Sequence, residues 1–132
     1  MKYILHTDGG SRGNPGSAAI GGTIMDTSGK LVTEFSESIG IATNNVAEYS
    51  AIIKGLSLCK KHGAKNVGCF LDSELVVKQL KGIYKVKDFN MQKLHAKAKA
   101  LISCFSDVTF THVMRGQNED ADRLVNKALD ER

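Results

Sequence analysis

The alternation of apolar and polar positions changes period several times along the chain, and each change marks an element. Residues 2–8 (KYILHTD) are rich in β-branched and aromatic side chains and predict a strand. Residues 18–26 and 31–39 predict two more, with the loop Asp26-Thr27-Ser28-Gly29-Lys30 between them as a short hairpin connection. The Gly-, Ser- and Asn-rich run 9–16 predicts the turn joining the first two, so the three strands read as an antiparallel meander. After a connection over residues 40–43 the period lengthens. Val46, Tyr49, Ile52, Ile53, Leu56 and Cys59 fall on one stripe of a helix running from Asn44 or Asn45 to His62, with Gly63 as its C′ residue.

A short, continuously apolar strand follows over 67–71 and ends in Asp72. Its apolar character on both faces predicts a central place in a covered sheet. Residues 73–80 predict a helix, 81–89 an irregular stretch, and 91–104 a helix carrying Leu94, Ala98, Leu101 and Ile102. A fifth strand over 108–113, a polar loop over 114–118 and a last helix over 119–129 complete the reading. No repeat or linker divides the chain, so residues 1–132 are expected to form a single α/β domain. The third and fourth strands flank a helix and should run parallel as a crossover unit. The first strand, two reversals earlier, should point the same way. Ligands in open α/β sheets sit beyond the carboxyl ends of such strands, and Asp8 and Asp72 both fall at that edge.

Composition changes this picture little. Hydrophobic residues make up 42% and charged residues 24%, which fits an ordinary globular protein and no bilayer-crossing segment. The chain starts directly on a strand, so no signal peptide is expected and the cytoplasm is the expected compartment. Cys59, Cys69 and Cys104 sit among apolar neighbours with no zinc-site or disulfide spacing, and buried reduced thiols are expected. A formal net charge of +4 leans towards a polyanionic partner.

Four acids carry the candidate chemistry, and each has a structural reading beside it. Asp8 opens a Gly-rich turn. Glu48 stands three residues after Asn45, the spacing of a helix capping box. Asp72 stands where an N-cap would. Asp122 lies in the first turns of the last helix, where it complements the dipole, and Asn118 is placed to cap that helix. None of these readings explains why all four fall on one side of the expected sheet. Clustered carboxylates are costly unless cations neutralise them, and a carboxylate-only set points to a hard ion, Mg²⁺ or Mn²⁺. Two such ions about 3.5–4 Å apart can stabilise the attacking and leaving oxygens of a phosphodiester.

The chain resembles the type 1 ribonuclease H family over essentially its whole length. The resemblance rests on Thr7-Asp8-Gly9-Gly10-Ser11 with Gly13-Asn14-Pro15-Gly16, on Thr43-Asn44-Asn45-Val46-Ala47-Glu48, on Asp72-Ser73, and on Asn118-Glu119-Asp120-Ala121-Asp122-Arg123-Leu124, in that order. It implies a five-stranded mixed sheet, three antiparallel strands then two parallel, flanked by helices. It implies hydrolysis of the RNA strand of RNA–DNA hybrids, leaving 5′-phosphate and 3′-hydroxyl ends. It assigns Asp8, Glu48, Asp72 and Asp122 to a pair of Mg²⁺ or Mn²⁺ ions, with Asp120 the competitor for the fourth place. Glu48 would also lie near the RNA 2′-hydroxyl. Gly9, Asn14, Asn44, Asn45 and Ser73 match substrate-contacting positions, and Thr43 matches part of a DNA-phosphate pocket. Side-chain amides both donate and accept, which suits a 2′-hydroxyl; for Asn44 and Asn45 helix capping is the structural alternative.

Two departures qualify the resemblance. Many members carry a His in the loop before the last helix; here the loop reads Val113-Met114-Arg115-Gly116-Gln117-Asn118. Arg115 is the candidate replacement, and His112 is expected to be a structural strand residue. Longer members carry a basic protrusion with Trp residues; this chain has no Trp and resembles the branch without it. Lys78, Lys81, Lys85 and Lys87 still form a local basic cluster, either a reduced grip on phosphates or a solubilising surface. The rival expectations are a non-catalytic hybrid-binding module and the same fold acting on double-stranded RNA. A monomer is expected.

Overall fold

The strand Lys2–Gly13 (β1) is the axis of a five-stranded sheet. In the computed structural model, which describes residues 1–131, it is followed by β2 (Gly16–Asp26), β3 (Leu31–Ala42), α1 (Asn44–Lys61), β4 (Asn66–Leu71), α2 (Glu74–Leu80), α3 (Phe89–Ile102), β5 (Asp107–His112), a 3-10 turn (Arg115–Gln117) and α4 (Glu119–Glu131). The strand order is β3-β2-β1-β4-β5. β1 pairs antiparallel with β2, and β2 with β3; β1 pairs parallel with β4, and β4 with β5. This is the expected mixed sheet, and β4 occupies the expected interior position. Among the described residues no helix is long and apolar enough to cross a membrane.

The first two strands are longer at their hairpin than the sequence predicts. The expected turn over 9–16 is strand on both arms, paired through Gly13↔Gly16, and only Asn14 and Pro15 remain as the loop. Local Gly preference loses here to strand pairing and to the space that glycine leaves for helices. β3 likewise continues past residue 39, with a bulge where Ala18↔Gly40 steps to Ala19↔Ser38 and Gly40 takes φ +82°. α3 starts two residues earlier than predicted, because Asp88 caps it by accepting from Met91 N–H.

α1, α2 and α3 enclose the larger core on one face, where Leu5, Ile24, Tyr49, Ile52, Val76 and Phe110 are buried together. Burying a side chain of this size contributes about 1.5–3 kcal/mol. α4 covers the other face of β1–β3 with Val125, Ala128 and Leu129 on Ala19. Cys59 and Cys69 are buried free thiols as expected, but Cys104 is exposed, because the chain leaves α3 at Ile102 and turns outward before β5. His112, expected to be structural, is exposed at the end of the edge strand β5.

Candidate active site

The site begins where β1 outruns its parallel neighbour. Their register ends at Thr7↔Leu71, and β1 continues to Gly13 with β2 alone. Asp8 is therefore mid-strand in β1 yet at the carboxyl end of the parallel pair. Gly9, the next residue, donates its N–H to Glu48 Oε1 at 2.9 Å. A Cβ on Gly9 would overlap the Ala47 carbonyl, so the missing side chain is what lets the first turns of α1 rest on β1 and bring Glu48 to Asp8. Gly21, paired with Asp8, does the same for α4: a Cβ there would lie 2.7 Å from Leu124 Cβ and 2.8 Å from the Ala121 carbonyl oxygen. That close seat brings Asp122 to the same place. Asp72 follows β4 directly.

The caps are not those expected for the acids. Thr43 Oγ1 caps α1 by accepting from Val46 N–H, so Glu48 is not half of a capping box. Ser73 caps α2 by accepting from Val76 N–H, which leaves Asp72 free of that task. Asn118 does not turn its side chain to the end of α4. It is 2% exposed, donates from Nδ2 to the Thr7 carbonyl at 2.8 Å, and meets His6 Nδ1 through Oδ1 at 3.1 Å. It thus ties the start of α4 to the strand beside Asp8. Only the spacing of the Asn-x-x-Ala-Asp run signalled this strut, and nothing in the sequence pointed to His6.

Asp8, Glu48 and Asp72 each offer an oxygen within 4.8 Å of the others. Burial pushes the Asp8 carboxyl up to about 7; the bond to Glu48 works against this, and the charges of Asp72 and Asp122 add to it. Burial and then the adjacent Asp8 hold Glu48 well above its ordinary range. Asp72 is also raised, chiefly by burial. Asp122 borders the trio and accepts from Arg115 Nη2 at 3.1 Å. Asp120 instead pairs with Arg123 at 4.0 Å outside the cleft, so Asp122 is the fourth acid of the cleft. Glu48 Oε2 is buried with no hydrogen-bond partner. An orphaned carboxylate oxygen, hard oxygen donors and mutual repulsion together fit a divalent cation.

An open cleft of about 540 Å³ runs from these acids to Asn44 and Asn45 and on to Arg115 and Asn126. The Thr43-Asn44-Asn45 end is built by the β1–β2 hairpin. Asn14 Oδ1 accepts from Asn44 N–H at 3.0 Å, and Asn44 Oδ1 accepts from Ser11 N–H at 2.9 Å. The amides thus serve the hairpin–helix join, and Ser11, not singled out in the sequence, is part of it. Arg115, Gly9 and Ser73 also line the cleft, whereas Asn14 and Thr43 are not among its lining residues. Lys81, Lys85 and Lys87 are exposed on the segment after α2, and Lys78 pairs with Glu74 at 2.8 Å.

A family model described as reverse transcriptase-like matches residues 6–128. The chain is 44% identical over 131 residues to the bifunctional protein Rv2228c of Mycobacterium tuberculosis, covering 98% of this chain and 36% of that protein. It is 43% identical over 124 residues to ribonuclease HI of Halobacterium salinarum, covering 94% of this chain and 62% of that one. The crystal structure of RNase H1 from Halobacterium salinarum superposes with a TM-score of 0.97 at 40% identity over all of both chains. LC11-RNase H1, crystallised in complex with an RNA/DNA hybrid, superposes with a TM-score of 0.93 at 42% identity over 98% of this chain and 97% of that one. The chain thus spans about a third of the mycobacterial relative and under two thirds of the archaeal one.

Proposed function

Because the chain belongs to the ribonuclease H family, we propose that it hydrolyses the RNA strand of RNA–DNA hybrids, leaving 5′-phosphate and 3′-hydroxyl ends. The observation that carries this reading is the trio Asp8, Glu48 and Asp72, with its buried, partnerless Glu48 Oε2, at the floor of an open cleft. Asp8, Glu48, Asp72 and Asp122 would hold two Mg²⁺ or Mn²⁺ ions. Such ions, when bound, stabilise charge on the attacking and leaving oxygens of a phosphodiester.

The protein's own part is placement. Gly9 N–H fixes one oxygen of Glu48 and leaves the other for a cation. Asn118 holds the start of α4, and with it Asp122, against β1. The Arg115 side chain is 77% exposed while one guanidinium nitrogen pairs with Asp122, so the rest of the group is available to a phosphate at the cleft mouth. The amides at the far end of the cleft suit a groove rich in hydroxyl and base-edge groups. The hybrid bound by LC11-RNase H1 supports the same substrate class for this chain.

The test is an assay with end-labelled RNA–DNA hybrid, double-stranded RNA and double-stranded DNA, each with Mg²⁺, Mn²⁺ or chelator. The hybrid's RNA strand should be cut, chelator should stop the reaction, and Asp8→Asn should slow it by about two to three orders of magnitude or more. Retained cleavage in Asp8→Asn would remove the assigned mechanism. Hybrid binding without cleavage in either metal would leave a binding module instead.

A further inference from the structure

We infer that the outer edge of β5 is a docking site for an extended segment of a partner protein, in which an apolar residue is flanked by acids two positions before and two positions after it. The inference is independent of the hydrolytic reading, since β5 carries none of the four acids. β3 and β5 are the two edges of the sheet. An open edge invites pairing with another chain unless bulges or charges blunt it. β3 is blunted: its pairing with β2 shifts register between Ala18 and Ala19 and between Ile24 and Met25, and Glu34 and Glu37 are exposed along it. β5 keeps an unbroken register with β4 from Asn66↔Asp107 to Leu71↔His112, and residues 108–112 hold no Lys, Glu or Pro.

The free backbone groups of this edge can be assigned. Val113 N–H donates to the Leu71 carbonyl. Backbone groups along a strand alternate in direction, so Thr111 and Thr109 also turn theirs towards β4. Val108, Phe110 and His112 then turn their N–H and C=O groups away from the sheet, where no strand pairs with them.

A cavity of about 390 Å³ lies against the same strand, with Leu80, Ile102, Val108 and Phe110 as its apolar lining. Val108 and Phe110 pack into the core that α1, α2 and α3 enclose. Thr109 turns its hydroxyl to the opposite face, beside Gly68, yet it also borders the cavity. The cavity therefore reaches the edge of the strand. Lys81 and Lys99 complete its lining; both are exposed, and neither is in an ion pair among the described residues. Asp107 shares the Thr109 face by alternation, so it does not neutralise them.

A strand added to β5 sets alternate side chains on the cavity face. One apolar side chain enters the cavity, and acids two positions away meet the two lysines. Main-chain bonds to Val108, Phe110 and His112 supply affinity, and the cavity supplies specificity. A second copy of this edge would bring its own lysines to the same seam, so charge favours an acidic partner over self-pairing. A nucleic acid has no peptide backbone with which to continue the ladder.

The test uses the full chain in chelator and fluorescein-labelled TETLTET, with TETTLET as the control that moves Leu to the face opposite the acids. TETLTET should bind saturably and slow hydrogen exchange at the Val108, Phe110 and His112 amides, and TETTLET should bind more weakly. Lys81→Glu with Lys99→Glu should weaken TETLTET about tenfold, and TKTLTKT should recover binding to that variant. N-methylation of one alternate set of peptide amides should weaken binding about tenfold or more, and of the other set should leave it unchanged, because only alternate N–H groups face β5. No saturation by about 1 mM peptide would overturn the inference. Equal effects of the two methylated sets would also overturn it, showing side-chain capture without strand addition. So would a short RNA–DNA hybrid that slows exchange at the same three amides and is released by the same lysine reversal, since the edge would then belong to the nucleic-acid surface.

Discussion

Gly9 shows how much of this site depends on the absence of an atom. Glycine costs a strand conformational entropy and gives it nothing to pack, yet β1 carries Gly9 and Gly10 in sequence directly after Asp8. The close seat of Ala47 on Gly9 explains the first of them. Gly9→Ala must push backbone against backbone, and a helix cannot yield locally as a flexible side chain can. It should destabilise the protein by about 3 kcal/mol or more, the upper end of overpacking effects, as read by urea unfolding. It should also lower activity in the molecules that remain folded, because α1 carries Glu48. Gly116→Ala is the matched control: nothing lies within 4 Å of a Cβ there, and its effect should stay within about 0.5 kcal/mol. Equal effects of the two substitutions would show that the close approach is not a constraint.

At the scale of elements, the segment from Lys78 to Lys99 carries seven of the eighteen cationic residues and one of the fourteen acids, although the whole chain is only +4. Ile83, Tyr84 and Phe89 are exposed among these lysines, with Lys78 stacked over Tyr84 and Lys93 over Phe89. Such a surface suits a nucleic-acid backbone better than simple solubility would require. If it grips phosphates, hybrid affinity of Asp8→Asn should fall with salt, and Lys85→Ala with Lys87→Ala should lessen the log–log slope by about 1.5–2. An unchanged slope in that variant would leave these two lysines as surface charge. The same scale explains what the sequence could and could not tell. Periodicity placed α1, β4 and the last helix to within a few residues, and the direction of β4 followed from the crossover rule. That β4 sits beside β1 did not follow, since order within a sheet is a long-range choice. The hairpin was read as turn over 9–16 because glycine's preference is local, while the pairing Asp8↔Gly21 through Gly13↔Gly16 is not. Glu48 and Asp72 had credible lives as caps until Thr43 and Ser73 were seen to take those places. The strut from His6 through Asn118 to Thr7 left only a spacing behind, because its partners lie more than a hundred residues apart.

Over the whole molecule, the acid cluster opposes folding, and the sign of that opposition can be worked out. In the folded state Asp8 titrates at about 7, and Glu48 and Asp72 are also raised, while unfolded carboxylates titrate near 4. Between those limits the folded protein holds more protons than the unfolded one. Stability in chelator should therefore be full below about pH 4 and fall as pH rises towards 7, by about 1.4 kcal/mol per pH unit for each proton so held. Asp26 and Glu74 shift the other way, Asp26 held low chiefly by the Ser28 hydroxyl and Glu74 by Lys78. Their contributions are complete above the ordinary carboxylate range, so they do not tilt the interval from pH 5 to 7. A divalent cation that binds only the folded state supplies the missing positive charge and adds stability by mass action. Urea unfolding at pH 5, 6 and 7 should thus show a falling stability in chelator and a shallower fall in millimolar Mg²⁺. Asp8→Asn should flatten the fall in chelator and lose part of the Mg²⁺ gain, because the amide carries no charge to repel or to coordinate. A stability that instead climbs from pH 5 to 7 in chelator would mean that Asp8, Glu48 and Asp72 are charged and compensated without a cation, and the reason for expecting a metal at this edge of the sheet would be gone.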